Sequence, residues 1–113
     1  MPGMSIHAVD IAAGRVAEGL AVRVERLDGP ARILLAEGHI GANGLLDHPA
    51  LDAIFPVGIY EVTFSIGEFL AGAPTPPFLG ETPYRFGIYD PASHYHLPFK
   101  FTPWGFSCFR GGA

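Results

Sequence analysis

The run His94-Tyr95-His96-Leu97-Pro98-Phe99-Lys100-Phe101 alternates aromatic or leucine side chains with polar residues or proline. Successive side chains of a strand point to opposite faces. Tyr95, Leu97, Phe99 and Phe101 therefore share one face, while His94, His96 and Lys100 share the other. One face is core and the other carries titratable groups. The same period of two recurs upstream. Leu20, Val22 and Val24 alternate with Ala21, Arg23 and Glu25, and Tyr60, Val62, Phe64 and Ile66 alternate with Glu61, Thr63 and Ser65. Tyr84, Phe86 and Ile88 repeat it before the turn Asp90-Pro91-Ala92-Ser93. Shorter strands are expected from Ser5 to Ile11, Ala31 to Glu37 and Gly105 to Arg110, each bounded by Gly, Pro or Asp. That makes about seven strands, and only Gly67 to Ala71 suits a helical turn. Short strands recurring between turns, with no long helical pattern, predict an all-β sandwich.

The composition agrees. Of 113 residues, 49% are hydrophobic and only 16% charged, against a usual charged share of about 25%. Fifteen glycines and 11 prolines imply many turns around a real core. That apolar share excludes disorder, and prolines spread through the second half exclude a long helical bundle. One domain, residues 1–113, is expected at this length. The longest charge-free stretch, Phe69 to Gly80, contains three prolines and falls far short of the ~20 apolar residues of a membrane span. The N-terminus lacks a basic segment followed by an apolar run, so the chain reads as cytoplasmic. Cys108 is the only cysteine. It excludes an internal disulfide framework and multi-cysteine zinc sites, and reads as a buried thiol. A net charge of −4, with seven unclustered Lys and Arg, lacks the electrostatic attraction that nucleic-acid binding needs. So sparse a charge on so small a domain also suggests surface hidden in an oligomer.

Five histidines are the informative polar feature, because histidine titrates near neutral pH and serves as base, acid or ligand. The face bearing His94, His96 and Lys100 is either solvated strand surface or a site. His94 and His96 could seed a metal site, yet no third or fourth ligand has a matching spacing. Neither metal nor cofactor is expected. His39 and His48 flank Gly41-Ala42-Asn43-Gly44 and read as exposed loop residues. No phosphate loop, nucleophile elbow or Cys/His dyad is present.

The C-terminal stretch from His94 through Phe101, continuing Thr102-Pro103-Trp104-Gly105-Phe106-Ser107-Cys108-Phe109-Arg110-Gly111-Gly112, resembles the signature of the 5-hydroxyisourate hydrolases, the enzymatic relatives of transthyretin. Ser5-Ile6-His7-Ala8-Val9-Asp10, the segment from Gly14 to Val24, and that from Phe55 to Phe64 extend the likeness over nearly the whole chain. The resemblance implies a two-sheet sandwich of seven to eight strands with one short helix. It also implies a homotetramer whose sites lie in a channel between dimers, each taking a small molecule. The family site combines a histidine of the first strand, an arginine after a long turn, the second histidine of His-Tyr-His, and a terminal Tyr-Arg-Gly-Ser. The two histidines correspond to His7 and His96, which the resemblance makes the catalytic pair. Leu45 stands in the arginine's place, because the family's Asp-Gly-Arg turn reads Asn43-Gly44-Leu45 here. The terminal motif reads Phe109-Arg110-Gly111-Gly112, so Arg110 remains while tyrosine and serine are replaced.

Opening a ring at an activated amide takes a base to deprotonate water and donors where the oxyanion develops. His7 and His96 supply the first. Leu45, Phe109, Arg110, Gly112 and His94 would line the substrate position, with His39 or Lys100 as stand-ins for the missing guanidinium fork. Two readings follow. One is a hydrolase of a purine-derived cyclic amide, 5-hydroxyisourate or a less polar analogue. The other is a non-catalytic transthyretin-like binding protein, since function belongs to the site and not to the scaffold.

Overall fold

Wherever apolar side chains alternate, the chain runs as strand. The computed structural model describes residues 2–73 and 76–112, and these form eight strands. The first sheet contains β1 (Gly3–Asp10), β2 (Arg15–Val16), β7 (His94–Thr102) and β8 (Gly105–Cys108), in the order β2-β1-β7-β8. The second contains β3 (Ala21–Asp28), β4 (Ala31–His39), β5 (Gly58–Ser65) and β6 (Glu81–Ile88), in the order β4-β3-β5-β6. All seven expected strands are present. The additional β2 is a two-residue pairing against the end of β1, too short to show any period. The helical turn α1 spans Ile66–Phe69, one residue earlier than expected, because Ile66 stays wholly in the core while the backbone turns. A single 3-10 turn at Pro49–Asp52 went unforeseen. It starts where His48 Nδ1 accepts the Ala50 N–H at 3.1 Å and Pro49 occupies a first-turn position, as helix starts commonly do.

The core lies between the sheets. Phe64 of β5 and Phe99 of β7 stack face to face with centroids 3.7 Å apart, both fully buried, and so join one sheet to the other. Ile6, Leu97, Val62 and Tyr60 close around them. Tyr60 keeps its hydroxyl satisfied by donating to the Pro56 carbonyl at 2.6 Å, as a buried phenol must. Burial of each such side chain contributes roughly 1.5–3 kcal/mol. Cys108 stands opposite Phe99 and is half-buried, not fully enclosed as expected. Its desolvation pushes the thiol up to about 12.

The outward faces differ. On the second sheet, Glu25 and Glu61 lie beneath Arg32, which reaches them at 3.2 and 2.8 Å, while Arg85 reaches Glu61 at 2.9 Å. The hydrogen bond from Arg32, then that from Arg85, holds Glu61 below the usual carboxylate range against the opposing effect of burial. That face is covered by its own ion pairs. The first sheet has a different feature: β1 and β7 run parallel, whereas the other ladders are antiparallel. Their register sets Ser5 against His96 and His7 against Pro98. Among the described residues no helix is long and apolar enough to cross a membrane.

Candidate active site

Because β1 and β7 are parallel and in step, their outward residues form one row. Ser5 and His7 come from β1, and His94, His96 and Lys100 from β7, with Lys100 exposed and the others half-buried. Ser5 Oγ lies 2.8 Å from His94 Nε2 and 2.6 Å from His96 Nδ1. His94 Nδ1 lies 3.3 Å from the Pro2 carbonyl oxygen. Two imidazoles thus meet on one hydroxyl, and His7 follows on the same face.

The loop after β4 completes the site by acting as a further strand. Asn43 Oδ1 accepts the Leu45 N–H at 3.0 Å, and the Gly41 N–H donates to the Leu45 carbonyl at 2.9 Å, so the turn is tight. Ala8 N–H donates to the Gly44 carbonyl and Leu46 N–H to the Ile6 carbonyl, at 2.9 and 3.1 Å. These bonds flank His7 and Leu45, making them a directly opposed antiparallel pair. Residues paired this way sit about 4.5 Å apart at Cα with side chains on the same face. Leu45 therefore stands beside His7. Gly44, at φ +83°, allows the approach: a Cβ there would fall 2.5 Å from His7 Nε2. Gly111 does the same for the other imidazole. Its N–H donates to the His96 carbonyl at 2.7 Å, and a Cβ would fall 2.8 Å from His96 Cδ2. Each histidine is pressed by a glycine backbone.

Burial, then the nearby charges of His7 and of His94, pull His96 below the ordinary histidine value. The neutral form, the one able to accept a proton, is favoured. Among the described residues no three His, Cys, Asp or Glu side chains are grouped to hold a metal ion.

The structure brings His7, His94, His96 and Leu45 together. It sends Arg110 elsewhere. The guanidinium lies 4.1 Å from the centre of the inward-facing Tyr95 ring, and Nη2 donates to the His94 carbonyl at 3.3 Å. Arg110 there lines a cavity of about 210 Å³ with Tyr84, Phe86 and Tyr89, away from the imidazoles. Phe109 is half exposed, and Gly112 faces open space. His39 is the last residue of β4 in the second sheet, not a loop residue, and lines a cavity there with Arg23, Glu37 and Glu68. His48 is half-buried and caps the 3-10 turn. Lys100 pairs with Val9 on the histidine face. Sequence reasoning missed Ser5, Gly44 and Gly111. Ser5 had a signal, since it lies two residues before His7 and so on the same strand face.

Four cavities of the chain lie elsewhere, lined by neither His7, His94 nor His96. The histidine row faces outward from its sheet, with the three imidazoles half-buried in the isolated chain.

Fold and site together define a two-sheet β-sandwich protein carrying a histidine cluster on the outer face of one sheet. The chain belongs to the HIUase/transthyretin family, whose model matches residues 4–111. It is 41% identical to 5-hydroxyisourate hydrolase 2 of Rhizobium meliloti (strain 1021), covering 96% of this chain and 94% of that one. It is 40% identical to 5-hydroxyisourate hydrolase of Mesorhizobium japonicum, over 96% of this chain and 90% of that one. Among solved structures, 5-hydroxyisourate hydrolase of Klebsiella pneumoniae superposes with a TM-score of 0.83 at 32% identity, over 99% and 100% of the two chains. (S)-allantoin synthase superposes at 0.85 with 37% identity, and this chain spans 43% of it.

Proposed function

We propose that the chain hydrolyses a purine-derived cyclic amide, 5-hydroxyisourate or a less polar analogue, with His7 and His96 as the catalytic pair. The observation that carries this reading is the row of imidazoles on one outward strand face, with His96 held toward its neutral form. Neutral His96 accepts a proton from water as the water oxygen bonds to the ring carbonyl carbon. The carbonyl electrons move to oxygen, then return as the ring C–N bond breaks. His7 holds the water, and His96 hands the proton it has taken up to the departing nitrogen, which returns both imidazoles to their starting state. Near-neutral imidazoles suit both transfers. Relatives of such similarity named as 5-hydroxyisourate hydrolases support the reaction class. Wild-type protein is expected to accelerate the decay of freshly generated 5-hydroxyisourate. A rate equal to spontaneous decay leaves the binding-protein reading in its place.

The same reading includes a homotetramer, with the histidine face closed by another copy into a channel that takes the small molecule. Its support is the outward histidine face together with the outer edge of β8. There Trp104, Phe106 and Phe109 are 71%, 46% and 47% exposed, and unpaired edges with apolar side chains invite partners. Light scattering in dilute buffer should give four times the chain mass. A stable monomer at micromolar concentration contradicts it.

Leu45 retunes the pocket. Where the family resemblance calls for an arginine beside the histidine, a half-buried leucine stands opposite His7. An anionic atom left without that partner costs roughly 1–3 kcal/mol, while apolar contact returns about 25 cal/mol per Å² buried. Neutral, N-methylated or aromatic analogues are therefore expected to bind better than urate-like anions. Calorimetric titration should show Leu45→Arg reversing the order. Unchanged binding in Leu45→Arg removes Leu45 from the pocket.

A further inference from the structure

We infer that Ser5 and His94 are positioning residues that decide which nitrogen of His96 is free to take a proton, and that this nitrogen is Nε2. The inference deepens the reading of His96 as the base, and only its kinetic arm rests on that reading. A carbonyl oxygen can only accept. The 3.3 Å contact between His94 Nδ1 and the Pro2 carbonyl therefore places a hydrogen on Nδ1. A neutral imidazole carries one N–H, so His94 Nε2 holds a lone pair and accepts from the Ser5 hydroxyl at 2.8 Å. That uses the one proton the hydroxyl has. At 2.6 Å the Ser5 oxygen must in turn accept, so His96 Nδ1 is the donor. Nε2 of His96 is left bare.

The direction of the whole row is thus set at one end by the Pro2 carbonyl and read out at the other as a lone pair. Which nitrogen of an imidazole carries the proton is fixed by the bond its other nitrogen makes. When Nε2 takes a proton from water, Nδ1 still donates to Ser5, so base and conjugate acid use the same hydrogen bonds. No reorientation accompanies the transfer, and an arrangement preorganised in this way costs nothing at the moment of reaction. His94 is accordingly a partner of Ser5.

The test is the tautomer itself. In uniformly ¹⁵N-labelled wild type at about pH 8, where histidine is largely neutral, long-range ¹H–¹⁵N correlation should show His96 protonated at Nδ1 and bare at Nε2. In Ser5→Ala the His96 signals should move toward the Nε2–H form, and Ser5→Thr, which keeps the hydroxyl, should restore the wild-type pattern. With 5-hydroxyisourate as substrate, Ser5→Ala should lower kcat about 10-fold or more with KM little changed, a part of the ~10²-fold or greater contribution of a positioned base. Wild-type His96 protonated at Nε2 overturns the inference, as does a Ser5→Ala spectrum in which its tautomer is unchanged. Should wild type prove inactive on this substrate while His96 shows the Nδ1–H form, the relay stands and the proposed reaction falls.

Discussion

His96→Asn and His7→Asn are each expected to slow 5-hydroxyisourate hydrolysis by about 10²-fold or more, the range a general acid or base contributes. Asparagine keeps some hydrogen bonding in a similar volume but cannot take up a proton near neutrality. Both side chains sit on outward strand faces, clear of the stacked core, so the folded state should survive and the loss should fall on the rate. The pH profile adds a sign. Burial and the neighbouring imidazoles lower the His96 value from 6.5, so its base form persists into more acid solution than that of a free histidine. The acid limb of the wild-type profile should therefore lie below about 6.5 and should vanish in His96→Asn. Rates of both variants within a few-fold of wild type rule out the catalytic pair.

Phe99→Ala carries the largest expected effect on stability, about 3–5 kcal/mol. Phe99 is fully buried and stacked on Phe64 of the opposite sheet at 3.7 Å. Removing the ring takes away both its own transfer energy and the surface on which Phe64 rests, and close-packed strands on either side cannot collapse into the space. Domains of this kind are stable by only about 5–15 kcal/mol, so much of the total is lost. Phe106, 46% exposed at the sheet edge, gives the comparison: Phe106→Ala should cost far less. Urea unfolding of both variants measures the difference. A Phe99→Ala loss under about 1 kcal/mol contradicts the stacked pair as the link between sheets.

The strands were legible because alternation of Tyr60, Val62 and Phe64, or of Tyr95, Leu97 and Phe99, is a local property of residues and needs no partner. Pairing is not local. Nothing near Ser5 says that it will lie against His96, because that register is fixed by packing among segments some 90 residues apart. The loop around Asn43 likewise reads as a turn, and only its bonds to Ala8 and Ile6 reveal that it extends the sheet and delivers Leu45 to His7. The family resemblance named His7 and His96 together, and the register sets them on one face of adjacent strands. The resemblance said nothing of the partner of Arg110, whose long side chain is drawn to the Tyr95 ring, an attraction that spacing in a motif cannot express.

The parallel pairing of β1 with β7 also sets a timetable. A chain synthesised only as far as Ser93 has β1 to β6 but not β7, the partner of β1 in the middle of the first sheet. The second sheet, made of neighbours in sequence, can assemble while the chain is still growing. β1 must wait with one edge unsatisfied until β7 emerges, and contacts of such long sequence separation are the slow ones to form. The histidine row is consequently absent from every nascent fragment that ends before β7, and it comes into being in the same late event that completes the core.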